Sequence, residues 1–296
     1  MLVVDILILG SGWTSQFLIP LLEKEKVLFA ATSRDGGERY GKPTIKFEFD
    51  PLSDDEQPFT VLPDARTVVI TFPIYKSGAS KRLVTLFGAS HAGTQAAYIQ
   101  LGSSGIWNKG PTVQGGTRDQ TWSDRNSPFD TTNDRAKAEI ELLSLSPGVP
   151  TTVLNLCGLW GGQRNMRNWV GRVAPTKEVL AEKTSIHMIH GYDVARAILA
   201  VHQDFLKAVG QRWLLTDGRI YDWWDLASAW GSGGEAASDT DPQGPHAQWV
   251  RELMEERGVR ALPRPPERLG RLLDSREFWS TFGLSPAKAR LERGDA

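Results

Sequence analysis

The opening run MLVVDILILGSGWTSQ, Met1 to Gln16, constrains the fold more than any other stretch, because an apolar segment stops at a glycine turn and resumes with helical spacing. Leu2 to Leu9 is almost wholly leucine or β-branched, as a parallel strand buried on both faces requires. Phe17, Leu18, Leu21 and Leu22 then share one face of a helix. In a strand, tight turn and helix of this kind, a first glycine permits the turn and a second lets a pyrophosphate approach the backbone. The helix N-terminus adds N–H groups and a partial positive charge. Gly10, Ser11, Gly12, Trp13, Thr14 and Ser15 are therefore the expected cofactor turn. Ser15 stands where a third glycine is usual and is small enough to let the helix pack on the strand.

Val27 to Ser33 makes a second strand, and Arg34 follows it, about twenty residues beyond the glycines, where the residue that recognises the ribose is expected. A carboxylate there would accept hydrogen bonds from the ribose hydroxyls of NAD, whereas a guanidinium suits a 2′-phosphate, which it can hold at two points. The expected cofactor is NADP rather than NAD, with Ser33 and Arg34 among its contacts; Asp35 beside them leaves the hydroxyl-binding alternative open.

Further strands are predicted at Thr44 to Phe49, Thr67 to Phe72, Ala97 to Leu101, Thr151 to Leu156 and Arg212 to Thr216. Helices are predicted between them at Ser80 to Ser90, Asp134 to Leu145 and Asp193 to Phe205. The helix from Asp134 has Ala136, Ile140 and Leu143 on its apolar side. Such alternation specifies an α/β fold, a doubly wound parallel sheet. Residues at the carboxyl ends of its strands line the nucleotide crevice, which brings in Asp50, Thr71, Phe72 and Pro73.

The organisation expected is a dinucleotide-binding core over residues 1–156 and a substrate-side, mostly helical C-terminal lobe over 157–296, with 186–216 returning to the core. Gly231 to His246 reads as an exposed loop, and two amphipathic helices, near Gln248 to Arg257 and Leu269 to Phe282, flank the PRPPER segment that follows it. A net charge of −1 gives no reason to bind nucleic acid or an anionic membrane. The single cysteine, Cys157, rules out an intrachain disulfide framework and fits a reducing compartment. With no long apolar run and no secretory leader pattern, the expected location is cytoplasmic. His187 and His190 have no carboxylate or thiol at ligand spacing, so no metal site is expected.

Taken in order, GSGWTS, GSSGIW, TTNDRAKAE, LNLCGLWGGQR and IHMIHGYDVARAI resemble the extended and atypical short-chain dehydrogenase/reductase superfamily, which includes NAD(P)-dependent epimerase/dehydratase-like proteins. The resemblance implies a Rossmann core, a monomer or homodimer, and a small organic substrate. It also implies a catalytic tyrosine, a lysine that lowers its pKa and holds the nicotinamide ribose, and a serine on the reacting oxygen. Ser103 matches the serine and Lys137 the lysine, but Asn133 occupies the tyrosine position. A carboxamide cannot give or take a proton in a normal cycle. The proton would then come from Tyr75, Tyr192, His190, Asp134 or a water held by Ser103. By the same resemblance Ser104, Trp107, Trp160, Arg164 and His190 are substrate-side candidates, the tryptophans being packing residues otherwise. The implied activity is that of a reductase, dehydrogenase or epimerase-like enzyme with a nonstandard proton donor. The alternative is an NmrA-like protein that senses NADP without turnover.

Overall fold

The computed structural model describes residues 3–108, 122–230 and 245–289. Its central sheet is built from β1 (Val3–Leu9), β2 (Phe29–Ser33), β3 (Ile45–Lys46), β4 (Asp64–Ile70), β5 (Ala97–Ser103), β6 (Thr151–Leu156) and β7 (Arg212–Leu215). The strands lie in the order β7-β6-β5-β4-β1-β2-β3, and every pairing is parallel. From β1 the chain moves outward through β2 and β3, crosses back to β4, and continues through β5 and β6 to β7. The direction of winding therefore reverses between β1 and β4, which opens a crevice outside their carboxyl ends.

Alternation along β1 assigns each side chain to one of two cores. Ile6 and Ile8 pack with Leu18 and Leu22 of α1 (Ser15–Lys24) and with Val194 and Ile198 of α4 (Gly191–Gln203). Leu7 and Leu9 pack on the other face with Leu83 and Phe87 of α2 (Ala79–Ser90) and with Ala138 and Leu142 of α3 (Asp134–Leu143). Helices cover both faces, so this strand carries a run that is apolar apart from Asp5 instead of an alternating one. This is the doubly wound α/β architecture expected from the sequence.

A separate apolar cluster gathers residues from the C-terminal half of the chain. Trp223 and Trp224 of α5 (Trp223–Trp230) and Val250 and Leu253 of α6 (His246–Glu256) pack with Trp160, Met166, Leu180 and Met188. Arg264 is anchored there, its guanidinium 4.0 Å from the Trp224 ring centre and bonded to both oxygens of the buried Asp222.

Two element expectations are corrected. Of Thr44 to Phe49 only Ile45–Lys46 joins the ladder. Of Leu269 to Phe282 only α7 (Arg276–Thr281) is α-helical, because Leu272–Leu273 pairs in parallel with Trp122–Ser123 and the Leu273 N–H is taken by Nε2 of His187. The expected loop from Gly231 lies outside the described residues as far as Gly244. Among the described residues no helix is long and apolar enough to cross a membrane.

Candidate functional site

A crevice of about 760 Å³ runs over the carboxyl ends of β1, β2 and β4. Its floor is the turn after β1. Gly10 has φ +94°, its N–H donates to Thr32 Oγ1 at 2.9 Å, and a Cβ there would lie 2.9 Å from Thr71 Oγ1. Both conformation and space thus demand glycine. Gly12 differs, since a Cβ would meet nothing within 4 Å. The protein's own atoms leave room there, so any demand for glycine comes from what enters the crevice. The N–H groups of Trp13 and Thr14 have no acceptor among the described residues, and the first turn of α1 has no acidic residue. The Ser11 hydroxyl is buried without a partner. A chain turn with open amides, an unused hydroxyl and a helix N-terminus is fitted to phosphate oxygens.

At the β2 end, Asp35 is already engaged. It accepts from Arg39 Nη2 at 2.7 and 2.9 Å, from Ser33 Oγ at 2.7 Å and from the Gly37 N–H at 3.2 Å. Arg39, together with those hydrogen bonds, holds its carboxyl well below the usual range. Arg34 lines the same end and makes no ion pair among the described residues. Phe47, Glu48, Phe49 and Phe72 complete that wall, with Phe49 stacked on Phe72 at 6.1 Å between ring centres.

The crevice continues inward as a cavity of about 280 Å³ that shares Thr14, Thr71, Leu159 and Arg164 with the outer part. Ser103, Pro73, Cys157 and Arg135 join its lining. Ser103 Oγ accepts from the Gly105 N–H at 3.1 Å, which leaves its own proton to be donated elsewhere. Burial pushes the Cys157 thiol up to about 11, so it is a neutral, unreactive group at ordinary pH. The Arg164 guanidinium lies 4.4 Å from the Trp13 ring centre, and Trp13 Nε1 donates to the Gly161 carbonyl at 3.2 Å. No carboxylate, imidazole or phenol lines this inner part among the described residues.

Of the residues singled out from sequence, Gly10, Ser11, Gly12, Trp13, Thr14, Ser33, Arg34 and Thr71 line the outer crevice, and Pro73, Ser103 and Arg164 line the inner one. Ser15 is buried beneath the turn. Asp50 is exposed away from the crevice and closes its own turn, accepting from the Leu52 N–H at 2.8 Å. Ser104 is buried under Arg271, whose Nη2 donates to its carbonyl at 2.8 Å and its hydroxyl at 3.0 Å. Trp107 is fully buried, with Nε1 donating to Ser127 O. Trp160 packs edge-on against His190, whose Nδ1 accepts from the Tyr192 N–H at the start of α4.

The expected catalytic pair is not assembled at the crevice. Asn133 is the N-cap of α3, its Oδ1 accepting from the Arg135 and Ala136 N–H groups at 3.0 and 3.4 Å. Lys137 is 53% exposed and pairs with Asp134 at 2.9 Å. Tyr75, Tyr192 and Asp134 do not line the crevice either. The cause is the rotation of α3. Ala136, Ala138, Glu139 and Leu142 face inward, while Ile140, expected on the apolar side, is 42% exposed. Arg135 and Glu139, four apart on one helix face, stand nearest the crevice instead. Sequence reasoning missed Arg135, Arg39 and Thr32. Only the four-residue spacing of Arg135 and Glu139 offered a signal for the first of these.

No protein-family model and no curated protein matches the chain. Solved structures do. A protein of Methylobacillus flagellatus assigned as an NAD-dependent epimerase/dehydratase is 16% identical, with a TM-score of 0.63 over 97% of this chain and 94% of its own. A functionally unknown conserved protein of Silicibacter pomeroyi is also 16% identical, with a TM-score of 0.62 over 97% and 95%. UDP-glucose 4-epimerase of Bifidobacterium longum, solved with NAD⁺ and UDP, is 13% identical, with a TM-score of 0.61 over 97% and 95%. In its fold, therefore, the chain is a Rossmann protein of the kind shared by these epimerase- and dehydratase-like structures.

Proposed function

We propose that the crevice binds NADP and that the protein is an NADP-dependent oxidoreductase or epimerase-like enzyme acting on a small organic molecule at the inner end. The observation that carries the reading is the division of labour after β2: Asp35 is locked by Arg39, while Arg34 lines the crevice with no ion pair among the described residues. A carboxylate already paired is a poor acceptor for ribose hydroxyls, and a free guanidinium at that place suits a 2′-phosphate. The open amides of Trp13 and Thr14 would take the pyrophosphate. A nicotinamide held in the crevice would supply or accept hydride. Beside it, Ser103 donates a hydrogen bond to the substrate oxygen, its lone pair being held by the Gly105 N–H. The proton itself comes from water, since no acid of suitable type lines the inner cavity among the described residues.

That same lining favours a second reading, an NADP-sensing protein without turnover. Calorimetry with NADP⁺, NADPH, NAD⁺ and NADH, followed by NADPH oxidation assays against a panel of aldehydes and ketones, separates the two. The enzyme reading expects NADP forms to bind at least about tenfold tighter than NAD forms, Arg34→Ala to abolish that margin, and NADPH to be consumed. Selective binding with no turnover across the panel favours the sensor. Absence of binding by any of the four nucleotides removes both.

A further inference from the structure

Arg135 reaches the inner cavity from α3 and Arg164 from the turn after β6, so two guanidinium groups line a space of about 280 Å³. Neither makes an ion pair among the described residues. Arg135 donates one hydrogen bond, from Nη2 to the Leu101 carbonyl at 3.2 Å, and Arg164 rests on the face of Trp13. Partial burial lowers the pKa of Arg164. Glu139, whose charge interacts with that of Arg135, spends its hydrogen bonds elsewhere, on Arg212, on Asn155 Nδ2 at 2.9 Å and on the Ser103 N–H at 3.2 Å. Two like charges lining one small cavity repel one another, and an anion between them reverses the sign of the interaction. A planar guanidinium also matches the paired oxygens of a carboxylate or phosphate.

We propose that the inner cavity is built for a substrate carrying an anionic oxygen group, a carboxylate or a phosphate, with Arg135 as its principal ligand and Arg164 as the second. The proposal rests on the cofactor reading above, because the anion must sit beside an occupied dinucleotide crevice. It assigns a substrate-binding role to Arg135, two residues before the Lys137 to which the resemblance gives the nicotinamide ribose.

The test begins with protein saturated with NADP⁺, into which oxalate, inorganic phosphate and the neutral isostere oxamide are titrated by calorimetry. Oxalate or phosphate binds and oxamide does not; the preferred anion identifies the group. Arg135→Gln weakens that binding by at least about tenfold while changing NADP⁺ affinity less than about threefold, and Arg135→Lys falls between, keeping the charge but losing the fork. Thermal melts of both variants confirm that the fold is kept. Equal anion binding by Arg135→Gln, anion binding only when NADP⁺ is absent, binding of oxamide as tight as oxalate, or no binding of either anion would overturn the inference while leaving the cofactor reading intact. Failure of NADP⁺ itself to bind would remove both.

Discussion

The carboxylate of Glu139 on α3 lies against the guanidinium of Arg212 on β7, and neither side chain is open to solvent, at 0% and 8% exposure. Asn155, on the strand between them, donates to both carboxylate oxygens at 2.9 Å. Burial pushes the Glu139 pKa up, while Arg212 and the hydrogen bonds from Asn155 and Ser103 pull it back. The pair fixes which side of α3 faces the sheet. Through that rotation it decides that Arg135 meets the crevice and Lys137 meets water.

Removing one member of this pair should therefore be costly. Glu139→Ala leaves a buried guanidinium over the Phe129 ring, 4.3 Å away, without its carboxylate, and is expected to lower unfolding free energy by about 3–5 kcal/mol in urea titrations. The double change Glu139→Leu with Arg212→Met should recover most of that loss, since apolar pairs of similar volume often replace buried ions at little cost.

The two glycines of the turn should separate folding from binding. Gly10→Ala meets both the φ of +94° and Thr71 Oγ1, and should destabilise the protein by about 1–3 kcal/mol. Gly12→Ala meets no protein atom within 4 Å, so its melting should stay within about 0.5 kcal/mol of the parent. Its affinity for NADP⁺, measured by calorimetry, should nonetheless fall by about tenfold or more, because the added methyl occupies the approach of the pyrophosphate.

Asn133 and Lys137 should behave as helix residues. Replacing Asn133 by Ala or Tyr removes the cap on the Arg135 and Ala136 N–H groups and should cost about 1 kcal/mol. The tyrosine variant should gain no carbonyl reductase activity. Lys137→Ala, losing only an exposed pair with Asp134, should change stability by less than about 1 kcal/mol and NADP⁺ affinity by less than about twofold.

Asp217 supplies a pH dependence. Burial, with a smaller push from Asp193, raises its pKa from 3.8 to about 6, against the pull of the Tyr221 hydroxyl, the Arg219 N–H and the Arg219 charge. The folded chain keeps this proton where the unfolded chain has lost it. The associated stability is complete below about pH 3.8 and is lost as pH rises through 6. The full span corresponds to about 3 kcal/mol. Asp217→Asn, which can still accept from Tyr221, should be more stable than the parent at pH 7 and nearly equal to it at pH 4. Thermal melts at the two pH values check the sign.

Much of the molecule was legible before any coordinates. The apolar run into Gly10, the helical spacing after it and the strand ending at Arg34 specified the first strand, its glycine turn and the helix and strand that follow, because local periodicity and turn chemistry suffice for such elements in succession. Residues at the ends of parallel strands then fell where topology sends them, as with Thr71, Pro73 and Ser103. Asp50 was misplaced because a carboxylate after a strand equally well closes a local turn.

What the sequence determined, then, was the order of strands and helices and the glycine turn between the first of them, since these depend on neighbours along the chain. The tertiary structure alone decided the rotation of α3. Hydrophobic periodicity places Ile140 inward and leaves Glu139 out, whereas the fold buries Glu139 because Arg212 and Asn155, 73 and 16 residues distant, supply its charge and hydrogen-bond partners. A charge becomes a core residue only when its partner arrives from elsewhere in the chain, and no local pattern encodes that arrival.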